Sequence, residues 1–278
     1  MKSILYYTYR FFLVFSFIVV SISCLMAQNI DTLWVYSSGM NKSIKNLVIK
    51  PDQYFTTQDS FPTVYLLHGA TGDYRQWLND TPNLQSLATK YKVILVTPDG
   101  GYTSWYFDSP VDSIYKYATY VAEELIAEVE NNYRVLRNSS QRAITGLSMG
   151  GHGAFYLASV YSDKWAAAGS ICGGLDFRPF PNSWDLKLRL GEKADQPKNW
   201  EKYAVINRLD KFKENPTKLI FDCGLDDFFY DGNVATHQLM IEMKIQHEFT
   251  VRPGKHNKAY WSNALEYHLL FFQKAFGL

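Results

Sequence analysis

The sequence predicts an α/β fold with a mostly parallel central sheet and helices on both faces. Three observations lead to this prediction. Short apolar runs without polar alternation recur along the chain, as expected for strands that are buried on both faces. Segments with helical periodicity lie between these runs, and such alternation is typical of a layered α/β domain. Glycines follow most of the apolar runs, where turns would leave the carboxyl ends of the strands.

The apolar runs predict six buried strands, preceded by two segments that would start the sheet in antiparallel fashion. The six runs are 63–67, 93–96, 143–144, 166–172, 219–221 and 249–251, and the two earlier segments are 33–37 and 44–49. In sheets of this kind, ligands bind at the carboxyl ends of the strands. His68, Ser148 and the pair Asp226-Asp227 all occur at such ends.

Four segments between or after these strands have a helical pattern. They are 117–133, 151–161, 233–244 and 259–276. In the first of them Val121, Leu125 and Val129 share one face of the predicted helix, and the glutamates lie largely elsewhere. Each helix is therefore expected to pack an apolar face against the sheet.

Residues 175–215 interrupt this alternation. The segment is rich in Pro, Asn, Lys and Trp, and it contains Phe177, Phe180, Trp184 and Trp200. It is either a surface insertion with its own small core or a lid over the site. Long insertions in compact domains are often functional, so both interpretations stay open.

Composition limits the classes of function. The chain has 278 residues, 47% of them hydrophobic and 20% charged, and no linker divides it, which favours one globular domain. A net charge of +1 provides no basic field for nucleic acid. The aromatic content of 16% is high, so some rings could line a site for sugars or phenolic groups. The oligomeric state does not follow from the sequence.

The N-terminus has the layout of a secretory signal. Basic residues flank the start of the apolar run 11–20, and a plausible cleavage site follows at Ala27. Residues 1–27 are thus predicted to be removed, leaving the domain 28–278 in the periplasm or outside the cell. Lipid modification at Cys24 is less favoured, because Ser21 stands three residues earlier, where the lipoprotein signal normally has an aliphatic residue. A retained membrane anchor is also less favoured, because the apolar run is short for a membrane span.

The two remaining cysteines are Cys172 and Cys223. They could pair in an oxidising compartment, but buried free thiols are favoured because neighbouring parallel strands seldom have disulfide geometry. The sequence shows no spaced Cys/His cluster of the zinc type. We therefore expect neither a metal nor an organic cofactor.

The stretch Gly146-Leu147-Ser148-Met149-Gly150 fits the pattern G-x-S-x-G. In this motif the serine occupies a sharp, strained turn between a strand and a helix, with its hydroxyl exposed. Side chains two residues before and after would collide, which explains the two glycines. The backbone N–H of Met149 would point into the site and could stabilise an oxyanion. Ser148 is therefore predicted to be a nucleophile.

A serine nucleophile needs a histidine base, which in this fold class comes last in the chain. Among the histidines after Ser148, only His256 lies in a loop that follows a strand. His152 lies on the helix directly after the serine and is set aside as packed or solvated. His237 and His268 fall within helical patterns, and His247 begins a strand.

The carboxylate that orients the base should follow the strand at 219–222. Asp227 is the preferred candidate and Asp226 the reserve, since adjacent aspartates repel and one of them should face solvent. The backbone N–H of Ala70, in the loop after Leu67-His68-Gly69, is the candidate for the second oxyanion donor.

With these residues and motifs, the chain resembles the esterase D-like branch of the α/β-hydrolases. That branch includes feruloyl and acetylxylan esterases, S-formylglutathione hydrolases and mycolyltransferases of the antigen 85 type. The resemblance runs from about residue 40 to the end. The matching blocks are 65–69, 104–109, 124–126, 133–135, 146–151, 223–227 and 253–256.

The resemblance implies an α/β-hydrolase fold and a serine esterase. It supports Asp227, because the family acid is the fourth residue of a G-x-x-D block, here Gly224 to Asp227. It also implies a feruloyl or acetyl ester on a plant polysaccharide. Acyl transfer, a siderophore ester or a non-catalytic carbohydrate-binding role are the alternatives. One departure is that Lys258 and Ala259 precede Tyr260-Trp261, where the family often has a Trp soon after the histidine.

Three residues are candidates for substrate contact. Trp105 and Tyr106 lie in the loop after Gly101, and His68 lies at the end of the strand 63–67. The two aromatic side chains could form a substrate wall, or they could pack beneath the loop that carries them.

Overall fold

The structure, a computed structural model, describes residues 29–278, so the predicted signal segment and Cys24 lie outside the described residues. Eight strands form one sheet. They are β1 (Ile30–Ser37), β2 (Lys42–Ile49), β3 (Thr63–Leu67), β4 (Ile94–Pro98), β5 (Arg142–Gly146), β6 (Ala167–Ile171), β7 (Lys218–Gly224) and β8 (Glu248–Arg252). All eight strand predictions are confirmed to within a few residues at each end.

The strands lie in the order β1-β2-β4-β3-β5-β6-β7-β8. The first two are antiparallel to their neighbours, and the other six run parallel. The chain moves from β3 outwards to β4 and then returns to β5 on the other side of β3. A crevice forms at such a reversal, outside the carboxyl ends of the strands, and Ser148 follows β5 at that point.

Eight helices surround the sheet. They are α1 (Gln76–Asp80), α2 (Leu84–Tyr91), α3 (Tyr117–Thr119, continued by a π-helical turn at Tyr120–Leu125 and by Ile126–Asn132), α4 (Met149–Val160), α5 (Leu186–Leu190), α6 (Pro197–Tyr203), α7 (Tyr230–Glu242) and α8 (Lys258–Phe276). The four predicted helices correspond to α3, α4, α7 and α8. Shorter 3₁₀ turns occur at Asp52–Phe55, Ser139–Gln141 and Val205–Phe212.

The core consists of two apolar layers, one on each face of the sheet. Helices α3 and α4 cover one face, and α1, α2 and α8 cover the other. Strands buried on both sides explain why the sequence shows continuous apolar runs there. Among the helices described, none combines the length and the apolar character needed to cross a membrane.

The segment 175–215 lies on the α4 side of the sheet. Its buried residues, including Phe177, Trp200 and Leu209, join the main core instead of forming a separate one. Trp184, in the same segment, reaches the carboxyl ends of the strands. The segment is thus packed as an integral part of the domain at the edge of the crevice. Cys172 and Cys223 are both free and buried, as favoured from the sequence.

Candidate active site

Ser148 occupies a strained turn between β5 and α4. Its φ of 55° and ψ of −115° lie outside the regions that side chains readily adopt. A Cβ at Gly146 would come within 2.5 Å of the backbone of Gly150, and a Cβ at Gly150 within 2.3 Å of the Leu67 carbonyl oxygen. The two glycines of the motif are therefore required by close approach of backbone to backbone.

His256 and Asp227 meet Ser148 at this turn, although they come from two other loops. Ser148 Oγ lies 2.8 Å from His256 Nε2, and His256 Nδ1 lies 2.7 Å from Asp227 Oδ2. The other oxygen of Asp227 accepts a hydrogen bond from the Phe229 N–H at 2.8 Å. This arrangement fixes the imidazole with Nδ1–H towards Asp227, leaving Nε2 to accept the serine proton. Asp226 is exposed and makes no contact with His256 among the described hydrogen bonds.

The protonation of His256 depends on two opposing effects. Burial lowers the pKa of the imidazole, but the hydrogen bonds to Asp227 and to Cys172 favour the protonated form, and the resulting pKa is raised to about 8. Burial raises the pKa of the Cys172 thiol, which lies beside the ring, far above its usual range. The thiol is therefore neutral, and Asp227 is the charge that acts on His256.

Two backbone N–H groups are free beside the serine hydroxyl. Met149 begins α4 directly after Ser148, and Ala70 follows Gly69 in the loop after β3. Neither N–H donates to an acceptor within residues 29–278. The Gly69 N–H, in contrast, donates to Gln76 Oε1 at 2.9 Å, which fixes the loop that presents Ala70.

The residues predicted to contact substrate lie beneath the site. Trp105, Tyr106 and His68 are all fully buried. His68 Nε2 accepts from the Gly100 N–H, and the Tyr106 hydroxyl donates to the His68 carbonyl oxygen. The two aromatic residues adopt left-handed backbone conformations, which turn their rings into the core. The burial of Trp105 and Tyr106 does not fit the prediction of a substrate wall. It fits the alternative, in which both side chains pack beneath the loop that carries them.

His152 is packed, which agrees with its exclusion as the candidate base. It is fully buried on α4, and its ring nitrogens lie 3.1 Å from the Trp105 carbonyl oxygen and 2.9 Å from that of Tyr203. Burial lowers the pKa of this imidazole to about 4. A neutral imidazole has one N–H, so His152 donates a hydrogen bond to one of these carbonyl oxygens and packs against the other, between the loop after β4 and the segment 175–215.

An aromatic wall borders His256; it is formed by Phe180, Trp184, Phe228 and Phe229. Phe228 is 50% exposed, and its ring centroid lies 4.3 Å from that of His256. Trp184 stacks on Phe228 at 5.7 Å. Sequence reasoning missed this wall, although Phe228 and Phe229 directly follow the predicted acid. On another side of the histidine, Trp261 packs edge-on at 5.1 Å, despite the two extra residues that precede it.

Comparison with known proteins identifies the family to which the chain belongs. The sequence profile of the Esterase family matches residues 37–272, which is most of the chain. The chain belongs to this esterase family. The resemblance to the esterase D-like branch is thereby confirmed, and so is the α/β-hydrolase fold. Ser148, His256 and Asp227 lie together in the crevice at the carboxyl ends of the strands, where sheets of this kind bind their ligands.

Two curated relatives and one solved structure illustrate the similarity. An esterase from Mycobacterium tuberculosis is 32% identical over 159 residues, 54% of this chain and 34% of that protein. An acetyl esterase from Caldicellulosiruptor saccharolyticus is 25% identical over 261 residues, 84% of this chain and 95% of that protein. A ferulic acid esterase structure has 28% identity and a TM-score of 0.74, covering 89% of this chain and 98% of its own. The chain thus spans about a third of the mycobacterial esterase.

In this member of the esterase family, Cys172 adds a third possible ligand atom to those of His256 and Asp227. The three donor atoms lie within 4.8 Å of one another. The imidazole and the carboxylate, however, already share a hydrogen bond of 2.7 Å. A metal ion would have to displace that bond and to deprotonate a thiol whose pKa burial has raised. The three groups are therefore better suited to hydrogen bonding than to ligation.

Proposed function

We propose that the chain is an exported serine carboxylic-ester hydrolase in which Ser148, His256 and Asp227 form the catalytic triad. The observation that carries this proposal is the continuous chain of hydrogen bonds from Ser148 Oγ through the imidazole to Asp227. Its geometry meets the requirement for a base within about 3 Å of the proton it removes. N-terminal sequencing of the mature protein checks the expected cut after Ala27.

In the first half of the reaction, Ser148 Oγ attacks the ester carbonyl carbon while His256 Nε2 takes the hydroxyl proton. The negative charge that develops on the carbonyl oxygen is stabilised by the N–H groups of Met149 and Ala70. Asp227 keeps Nδ1–H in place and stabilises the imidazolium. The tetrahedral intermediate then collapses, Nε2 returns its proton to the leaving alcohol, and an acyl-enzyme remains.

In the second half, water takes the place of the alcohol. His256 removes a proton from the water as it attacks the acyl carbon, the same N–H groups stabilise the oxyanion, and the proton returns to Ser148 Oγ as the acid leaves. An alcohol of the substrate could replace the water, which would make the product a new ester. Comparing the two products with an alcohol acceptor distinguishes hydrolysis from acyl transfer.

The aromatic wall favours a feruloyl ester of a plant polysaccharide as the substrate. Flat rings of Phe228 and Trp184 beside His256 offer a stacking surface for the phenolic ring of a feruloyl group. The named relatives include a ferulic acid esterase and an acetyl esterase, so acetyl removal is the second candidate. An exported enzyme would meet such polymers outside the cell.

Phe228→Ala tests the choice between these two acyl groups. The variant should lower kcat/KM for methyl ferulate about tenfold more than for p-nitrophenyl acetate, because the acetyl group is too small to use the ring. Ile241→Ala, which removes an equally exposed side chain from α7, is the matched control and should change neither value. An equal loss on both esters would contradict the feruloyl proposal, as would a wild-type enzyme that hydrolyses only short-chain esters.

A further inference from the structure

Besides the aromatic wall, a second group of aromatic side chains lies on the surface. It is found at the side of the sheet that ends with β1. We call it the platform and define it by Trp34 and Tyr36 of β1, Lys45 of β2 and Tyr74 in the loop after β3. Trp34 and Tyr36 are 58% and 60% exposed. Two large exposed rings share one face of the edge strand β1, and neighbouring exposed rings of this kind often mark a binding site.

Two rings of the platform, those of Trp34 and Tyr74, lie around one ammonium group. Trp34 and Lys45 are direct cross-strand partners on β1 and β2. Lys45 Nζ lies 4.8 Å from the centre of the Trp34 ring and 5.6 Å from that of Tyr74. Within residues 29–278 the ion pairs do not include Lys45, so its charge faces the two rings and the solvent.

The platform is connected to the candidate active site through the loop after β3. Tyr74 belongs to the same loop as Ala70, and the Thr71 N–H donates to the Tyr102 carbonyl oxygen at 2.7 Å. Strand β1 is four strands away from β5, a separation of roughly 19 Å at the usual spacing between strands. An extended chain of a few sugar units spans that distance, whereas a small ester does not.

The chemistry of the platform matches a sugar chain better than a purely apolar partner. A pyranose ring has an apolar C–H face that stacks on an aromatic ring, and hydroxyl groups at its rim that accept hydrogen bonds from an ammonium group. An apolar partner lying on Trp34 and Tyr74 would strip water from Lys45 without providing it an acceptor, which is costly. Tyrosine and tryptophan likewise combine an apolar face with a polar edge.

We propose that the platform binds the glycan chain of the ester substrate, at a subsite separate from the one that holds the reacting ester. The identity of that glycan as the carrier of the ester rests on the proposed function. Binding of the glycan itself does not, because the platform contains none of the groups that react.

Binding of de-esterified arabinoxylan provides the test, because this polymer carries no ester that the enzyme could cleave. Affinity electrophoresis of the protein should show retardation by the polymer. Trp34→Ala and Tyr74→Ala should each weaken that binding about tenfold, as expected for an aromatic side chain at the centre of a contact. Tyr267→Ala is the matched control: Tyr267 is an exposed ring with the Arg252 guanidinium 4.0 Å from its centre, and it lies on α8, outside the platform.

Kinetics provide a second readout. Trp34→Ala should lower kcat/KM for feruloylated arabinoxylan at least about fivefold more than for methyl ferulate, mainly through KM. Wild-type protein that does not bind arabinoxylan, or variants that bind it as wild type does, would overturn the proposal. The proposal would also be overturned if wild-type protein bound vesicles of anionic phospholipid and Trp34→Ala lost that binding instead of its binding to arabinoxylan. Failure of the proposed function would look different: arabinoxylan would be bound, but neither methyl ferulate nor p-nitrophenyl acetate would be hydrolysed.

Discussion

Ser148→Ala should lower kcat/KM for p-nitrophenyl acetate at least about 10⁴-fold. The serine hydroxyl lies 2.8 Å from His256 Nε2, and its removal leaves no group to form the acyl-enzyme. The oxyanion donors belong to the backbone and remain in the variant, so a small residual rate above that of the uncatalysed reaction is expected.

The change should leave the fold intact. Alanine tolerates the backbone conformation at this position as well as serine does, because both carry a Cβ at the same strained φ of 55°. The midpoint of thermal unfolding should therefore stay within a few degrees of the wild-type value. Ser162→Ala, at an exposed position after α4, is the control and should keep wild-type activity. Retention of more than about a hundredth of the activity by Ser148→Ala would contradict the assignment of the nucleophile.

Asp227→Asn should lower kcat about 10³- to 10⁴-fold, and Asp226→Asn should lower it less than about twofold. An amide at position 227 can turn its NH₂ group towards Nδ1, which then has to accept, and the proton moves to Nε2, where it blocks transfer from Ser148. The neighbouring aspartate is exposed, so its neutralisation removes only a screened charge. Two adjacent aspartates thus form a matched pair, and equal losses in both variants would contradict the role of Asp227.

The pH profile of the same variants separates an effect on His256 from a loss of packing. His256 must be neutral to accept the serine proton, so with a pKa of about 8 the wild-type kcat/KM should rise with pH and level off above that value. Because the hydrogen bond to the Asp227 carboxylate raises this pKa, Asp227→Asn should move the acidic limb to lower pH, while Asp226→Asn should leave it in place. An unchanged limb in Asp227→Asn would indicate a structural role only.

The sheet and the larger helices were predictable because each of them leaves a local pattern. Strands buried on both faces show as uninterrupted apolar runs, and α3 and α8 are long enough for helical periodicity to emerge. Helices α1 and α2, of five and eight residues, are too short for that and were not predicted. In 175–215, the buried residues serve the main core, so no local pattern distinguished its helices from a loop.

The meeting of Ser148, His256 and Asp227 was predictable from the sequence for a related reason. Ser148 has a motif with a steric cause, and His256 and Asp227 follow strands whose carboxyl ends converge. The aromatic wall was not accessible, because Trp184 and Phe228 are brought together only by the tertiary fold. Trp105 and Tyr106 illustrate the limit most clearly. Their position after β4 could be read from the sequence, but the left-handed backbone that turns their rings inwards could not.

Covalent labelling by an organophosphate tests the central claim most directly, because such a reagent phosphorylates a serine activated by a neighbouring base far faster than other hydroxyl groups of a protein. Incubation with diethyl p-nitrophenyl phosphate should release one p-nitrophenolate per chain and attach one diethyl phosphate group, which peptide mass spectrometry should locate on Ser148. His256→Ala should slow the labelling by orders of magnitude. Labelling at another residue, or none at Ser148 in folded wild-type protein, would contradict the proposal that this serine is the activated nucleophile of an ester hydrolase.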